Sequence, residues 1–230
     1  MQGKLACLTG NHLKLIAAFT MLLDHMGVLL FPDILLFRFI GRLSYPLFAF
    51  MIAESCRYTR NKARYFFLIF GLGTACQLVY DLVGDVIHLN ILLTFSFSIL
   101  LIYLLQAAHQ AQSMKKKVLW WSVFVILVLS AYGLDRILII DYGFLGVMLP
   151  VLVAFAHIRK FPHWAVVLVL GIGLVLMCMI YEAFQRYCLL VLPLLLLYSG
   201  KRGKANLKYF FYIFYPVHLA VLQGVAMLMN

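Results

Sequence analysis

Long apolar runs follow one another along the whole chain, separated by short polar or basic clusters. They occupy residues 13–31, 34–56, 65–81, 91–109, 118–134, 141–157, 164–182, 186–200 and 209–228. Most approach the roughly 20 residues that an α-helix needs to cross a hydrocarbon core; the eighth is short enough for partial insertion. The pattern predicts an all-α, polytopic transmembrane bundle of about nine spans. Neither a linker nor a low-complexity tract interrupts it, and no internal repeat points to paired halves, so residues 1–230 read as one integral-membrane domain.

Composition sharpens this picture. The 230 residues are 65% hydrophobic and 12% charged, with a mean hydropathy of +1.01. A soluble single-core domain has no use for so much apolar surface. There are 19 Lys and Arg against 8 acidic residues, a formal net charge of +11. In a soluble protein that excess would raise nucleic-acid binding. Here the basic residues fill the gaps between apolar runs, where orientation in the membrane accounts for them, and no nucleic-acid partner is expected.

All of the 19 except Arg38, Arg42, Arg136 and Arg186 fall in alternate connecting segments. Those segments hold Lys4 and Lys14; Arg57, Arg60, Lys62 and Arg64; Lys115 to Lys117; Arg159 and Lys160; and Lys201, Arg202, Lys204 and Lys208. The alternation predicts a cytoplasmic N-terminus and an external C-terminus. The opposite segments carry Asp33, Asp81, Asp85, Asp135, Asp141 and Glu182. The opening MQGKLACLTGNHLK has no small-residue cleavage site after a short apolar core and reads as a cytoplasmic lead-in. Five scattered cysteines without a CxxC spacing predict neither a disulfide framework nor a zinc site.

The polar residues inside the apolar runs are the candidates for chemistry. Asp24 and His25 are adjacent in KLIAAFTMLLDHMGVLLF, and Lys14 precedes His25 by eleven residues, three helical turns, on nearly the same face. His25 then lies about 16 Å along the axis from Lys14, near the middle of a core about 30 Å thick. Ionisable groups at that depth are costly unless they face the protein interior or a wet cavity. A neutral imidazole there can serve as general base toward an amine or hydroxyl; the plainer reading is a packing histidine satisfied by another helix. Arg42, in GRLSYPLFAFMIAE, is about 12 Å from the external end of its span and needs an anionic partner, for which Asp24 is the leading candidate. A catalytic role and a helix-to-helix salt bridge fit Arg42 equally. Gly41, Ser44 and Pro46 favour close packing or a bend beside it. Glu54 either orients a basic ligand-binding group or pairs with Arg57 or Arg60.

In the last span, YFFYIFYPVHLAVL, His218 is about 14 Å from the cytoplasmic start, at a depth similar to that of His25. Pro216 is expected to kink this helix, and Tyr212 and Tyr215 add hydroxyls. Two histidines at one depth predict a shared polar cavity if the first and last helices meet. The cationic run RYTRNKAR, together with the basic residues at 201 to 208, suits a phosphate-rich ligand; orientation and anionic lipid explain it as well. No Walker sequence, dinucleotide fingerprint or GxSxG elbow is present.

The segments LKLIAAFTMLLDHMG, FRFIGRLSYPLFAFMIAES, YTRN and FYIFYPVHLAVL together resemble the TraX family, over the first quarter of the chain and its final span. The activity named for that family is acetyl-CoA-dependent acetylation of a pilin N-terminus. More distantly, the chain is similar to integral-membrane acyltransferases of the acyltransferase-three type. Their first helix carries a basic residue, ten intervening residues and a histidine. Lys14 and His25 keep the spacing, with Lys where Arg is commoner, which weakens bidentate phosphate recognition.

The resemblance implies an acetyltransferase of the bacterial plasma membrane. Its co-substrate would be acetyl-CoA and its acceptor a peptide amine, a glycan or a lipid-linked group. By the resemblance His25 would assist acyl transfer and Lys14 would contact acetyl-CoA; the buried charges add Asp24, Arg42 and His218 to the catalytic group, and the basic cytoplasmic face adds Arg57, Arg60, Lys62 and Arg64 to the acetyl-CoA contacts. Tyr45 and Tyr215 would be substrate or oxyanion contacts, with membrane lipids around the bundle and no metal. Taken without the resemblance, the intramembrane Asp24, His25, Arg42 and His218 also suit a proton-coupled transporter. A noncatalytic membrane assembly component is the third reading.

Overall fold

The computed structural model describes residues 6–83, 88–181, 183–205 and 207–229, leaving aside the side chains of residues 79–83, 88, 183 and 208. Of the charges named above, Lys4, Asp85 and Glu182, with the side chains of Asp81 and Lys208, lie outside the described residues. Helix follows helix: α1 (Gly10–Leu29), α2 (Leu35–Gly41), α3 (Ser44–Tyr58), α4 (Lys62–Val83), α5 (Ile91–Gln110) and α6 (Met114–Ile137). Then come α7 (Gly143–Ile158), α8 (His163–Ile180), a 3₁₀ run (Ala183–Leu190), α9 (Val191–Leu196) and α10 (Lys208–Met229). Among the described residues the departure from all-α is one parallel pair of two-residue strands, β1 (His88–Leu89) on β2 (Ile139–Ile140), with His88 opposite Ile139.

Six helical stretches among the described residues are long and apolar enough to cross a membrane: α1, Leu35–Tyr58, α5, α6, α8 and Tyr209–Met229. Gly143–Ile158 and Phe184–Leu196 are shorter apolar helices. Apolar side chains also face outward in number, as in Phe19, Phe67, Met179 and Leu228. Along the 24 residues of α6 only Ala131 is buried. Surfaces this apolar belong against lipid, and the chain is an integral membrane protein.

The second predicted span is not one continuous helix. Residues Arg42 and Leu43 separate α2 from α3. Pro46 has no N–H, and its ring would clash with the carbonyl of Arg42 if the helix ran through. In the first turn of α3 the missing donor costs nothing. In α10, by contrast, Pro216 lies inside an unbroken helix.

The chain divides into two compact units, one of residues 1–51 and 170–230 and the other of residues 52–169. In the first, Thr9 caps α1: its hydroxyl accepts from the His12 N–H at 3.3 Å, and His12 Nδ1 accepts from the Thr9 N–H at 3.4 Å. The backbone of residues 197–203 docks on the same helix start. Gly10 N–H donates to the Lys201 carbonyl at 2.7 Å and Asn11 N–H to that of Arg202 at 3.0 Å. Gly203 makes this approach at φ +96°, where a Cβ would come within 3.0 Å of both Thr9 Oγ1 and Asn11 Nδ2.

Helix α1 meets α2 on two glycines. A Cβ on Gly27 would come within 2.9 Å of Phe37 Cβ, and one on Gly41 would overlap the Asp24 side chain. Small residues of this kind let helix backbones approach closely in membranes. Contacts of Lys14 with Phe211 and of His25 with His218 follow the same order on α1 and α10, so those two helices run parallel.

In the second unit, Asn90 is the buried hinge between helices. Its side chain caps α5 by accepting from the Leu92 and Leu93 N–H groups, and donates to the Gly73 carbonyl at 2.8 Å and to Gln77 Oε1 at 3.0 Å. Thr94 reaches the Asp141 carbonyl at 3.2 Å, just beyond β2.

Gly41→Ala and Gly27→Ala should therefore each destabilise the protein by about 1–3 kcal/mol through overpacking. Gly133, with nothing within 4 Å of an added Cβ, should tolerate alanine with little loss. Thermal unfolding midpoints in detergent compare the three variants directly.

Candidate active site

Two imidazoles meet at the α1–α10 contact. His25 Nδ1 and His218 Nε2 are 2.8 Å apart, with ring planes within 15° of parallel and centroids separated by 5.0 Å, the edge-to-edge geometry of an in-plane hydrogen bond. His218 Nδ1 lies 2.7 Å from the Phe214 carbonyl oxygen, one turn back on α10. The Phe214 ring packs face to face on the His218 ring at 4.8 Å, and Tyr215 meets it edge-on at 5.7 Å. His218 is 6% exposed. The cavity expected from two histidines at one depth is thus a direct contact.

With both rings neutral, the terminal carbonyl fixes every proton. A carbonyl only accepts, so His218 Nδ1 carries the hydrogen and donates to Phe214. His218 Nε2 is then an acceptor, and His25 Nδ1–H donates to it. The lone pair of His25 is left on Nε2, which has no hydrogen-bond partner among the described residues. An imidazole held by one nitrogen with a free lone pair on the other is the arrangement of a general base.

Asp24, next to His25 in sequence, turns to α2 instead. Its Oδ1 and Oδ2 accept from Arg42 Nη2 at 3.0 and 3.2 Å, and Oδ1 also accepts from Arg38 Nη1 at 3.1 Å. Arg38 and Arg42 are one turn apart and converge on a single carboxylate. Asp24 and Arg42 keep only 15% and 14% of their side-chain surface exposed. The leading partner expected for Arg42 is the one observed, and the cluster ties α1 to α2 directly beside His25.

Lys14 is partly exposed, three turns before His25, with Nζ 5.9 Å from the Phe211 ring centroid. Tyr45 and Tyr215 are both buried, on α3 and α10. The four cations of the 57–64 segment belong to the second unit and form a group of their own around the α3–α4 junction. Arg57 is 3.7 Å from Glu54 and packs on Tyr58, while Lys62 lies over Tyr103. Arg60 and Arg64 are exposed, and Asn61 starts α4 by accepting from the Arg64 N–H at 2.9 Å. Among the described residues no three His, Cys, Asp or Glu side chains are grouped to hold a metal ion.

Three partners escaped the sequence reading. Arg38 was counted there only as a charge near one membrane face; its position one turn before Arg42 was the available signal. His157 stands 3.2 Å from Glu54, closer than Arg57 does, and nothing in the local sequence joins residues so far apart. The Phe214 carbonyl is backbone and carries no residue signature.

Comparison with known proteins adds a family. The sequence model of the family described as TraX protein matches residues 9–226. A protein of Dichelobacter nodosus described as "Probable fimbrial assembly protein FimC, serogroup H1" is 26% identical over 245 residues, covering 95% of this chain and 96% of that one. No solved structure matches the chain significantly.

Asp24→Asn strips the carboxylate from two guanidinium groups and should cost about 3–5 kcal/mol, the usual penalty for breaking a buried pair on one side. Arg38→Gln leaves the Arg42 contact in place and should cost clearly less. Unfolding midpoints in detergent report both.

Proposed function

The chain belongs to the TraX family, and from that premise we propose that it is an integral-membrane acetyltransferase, moving an acetyl group from cytoplasmic acetyl-CoA to an acceptor amine or hydroxyl. The observation that carries this reading is the free Nε2 of His25, oriented by His218. The D. nodosus relative is named for fimbrial assembly, which favours a peptide amine on a pilin-like acceptor over a glycan or a lipid-linked group.

In this account His25 Nε2 removes the acceptor proton as the acceptor nitrogen or oxygen attacks the thioester carbonyl. The new bond to carbon forms, the carbon–sulfur bond breaks, and the proton passes from His25 to the departing CoA sulfur. His218 is a positioning residue: its Nε2 holds His25 in the Nδ1–H tautomer and stabilises the imidazolium formed in transit. In this reading Arg42 and Arg38 hold α2 against α1 through their ion pairs with Asp24, so that His25 keeps its place. Tyr45 and Tyr215 supply the candidate hydroxyls for the developing oxyanion.

The bundle takes the orientation expected from its basic segments, in the bacterial plasma membrane, with about nine crossings and the N-terminus in the cytoplasm. Lys14 and the exposed Lys201, Arg202 and Lys204 then stand at the cytoplasmic start of α1. They supply cations for CoA phosphates on the unit that carries His25, and Arg57, Arg60, Lys62 and Arg64 form the second unit's own cationic group, the alternative contact for acetyl-CoA.

Detergent-purified protein should bind radiolabelled acetyl-CoA saturably, with Lys14→Ala weakening binding roughly tenfold, the value of a lost charge-assisted hydrogen bond. In membranes from the producing cell, His25→Ala should lower transfer of the label to acceptor by about 10²–10⁴-fold while binding persists. Full transfer by His25→Ala contradicts the assigned base. Absence of acetyl-CoA binding by folded wild type contradicts the whole reading and favours proton-coupled transport.

A further inference from the structure

Cys178, in the last turn of α8, and Cys188, in the 3₁₀ run, face each other with their sulfurs 3.8 Å apart. Cys188 is fully buried, whereas Cys178 is partly exposed. Both are free thiols, and the spacing along the chain did not set them apart from Cys7, Cys56 and Cys76. A disulfide requires the sulfurs to close from this 3.8 Å to about 2.05 Å.

The segment that carries Cys188 departs from ordinary α-helix. Its 3₁₀ run is 8 residues long, whereas such runs rarely exceed about 3–4 residues because their hydrogen bonds are poorly aligned. Gln185 is 5% exposed, and its Nε2 has no hydrogen-bond partner among the described residues. Two aromatic contacts join the run to α2: Tyr187 packs on Phe39 at 4.2 Å and Phe184 at 5.6 Å. Phe39 lies on α2 between Arg38 and Arg42, the two residues that grip Asp24. A covalent tie from α8 to this run would brace the back of α2.

We propose that Cys178 and Cys188 are an oxidisable pair that forms an intramolecular disulfide bracing the 3₁₀ run behind α2. The co-reactant is a protein dithiol–disulfide oxidant. The Cys178 thiolate, the more accessible of the two, attacks one sulfur of the oxidant's disulfide and releases the other as a thiolate. The Cys188 thiolate then attacks Cys178 in the mixed disulfide, forming the Cys178–Cys188 bond and freeing the second oxidant sulfur. The two thiol protons end on the oxidant, which leaves as a dithiol; the protein has lost two electrons and the oxidant has gained them. The stretch of chain between α8 and the run falls in a segment that the alternation of basic residues places outside the cytoplasm, where such oxidants act. The proposal is independent of the acetyltransferase reading.

The test uses the full chain in its own membrane. Cells are denatured in excess maleimide, digested without reductant, and the peptides read by mass spectrometry. The expected result is one peptide pair linked through Cys178 and Cys188, released by a phosphine reductant and missing from Cys178→Ser. Recovery of both cysteines carrying maleimide in the wild type overturns the proposal. Because a serine variant can fail to fold, the wild type itself supplies a second comparison: its unfolding midpoint in detergent should fall when the purified protein is reduced. An unchanged midpoint overturns the bracing role.

Discussion

Hydrocarbon offers an imidazole nothing to bond, so each nitrogen of His25 and His218 at membrane depth must find its partner inside the protein or face a polar cavity. Three of the four find protein partners. His218 bonds back to its own helix at Phe214, His25 bonds to His218, and among the described residues the chain of donors ends on one unshared lone pair. That ending is a consequence of the carbonyl, which only accepts, and needs no assumption about substrate. The contact also ties together α1 and α10, the first and last helices, which run parallel. Without that pairing, His25 would have neither a fixed tautomer nor a fixed direction.

Charge nearby is handled separately. Asp24 would be an obvious orienting carboxylate for its neighbour in sequence, yet adjacent residues on a helix project about 100° apart. It serves α2 instead, and two arginines meet it there. A buried ion pair of this kind is weak evidence of stability, since desolvation offsets much of the attraction. Its value is geometric: with Gly27 and Gly41 allowing close approach, it permits one register between α1 and α2. The histidine pair is thus held by neutral hydrogen bonds on one side of α1, and α1 is held by charge on another.

Much of this was legible in the sequence, and what was missed has physical reasons. The apolar runs predict the helices because a bilayer demands continuous apolar length, and each run does contain helix. The interruption at Arg42 is readable from Pro46 once the carbonyl clash is considered, although hydropathy alone carries a span straight through it. His25, His218 and the Asp24–Arg42 pair stood out because polar residues inside apolar runs are rare. Arg38 did not, since it lies close to a predicted boundary, where charge is ordinary. The pairing of Cys178 with Cys188 depends on how a 3₁₀ run folds back on α8, and His157 on how α7 packs near α3; neither is local. Residues 57–64 announce a cationic group, but their chemistry belongs to the ligand they would meet.

The central claim is the protonation pattern that leaves His25 with a free Nε2, and nitrogen-15 NMR of histidine-labelled protein reads it most directly. Signals of His25 and His218 are assigned by loss in the His25→Gln and His218→Gln variants. The account predicts that both rings are neutral at neutral pH and carry their hydrogen on Nδ1, with the Nε2 of His25 unprotonated. A His25 ring protonated on Nε2 instead would contradict it, because the lone pair would then face His218 and no base would be left for an acceptor.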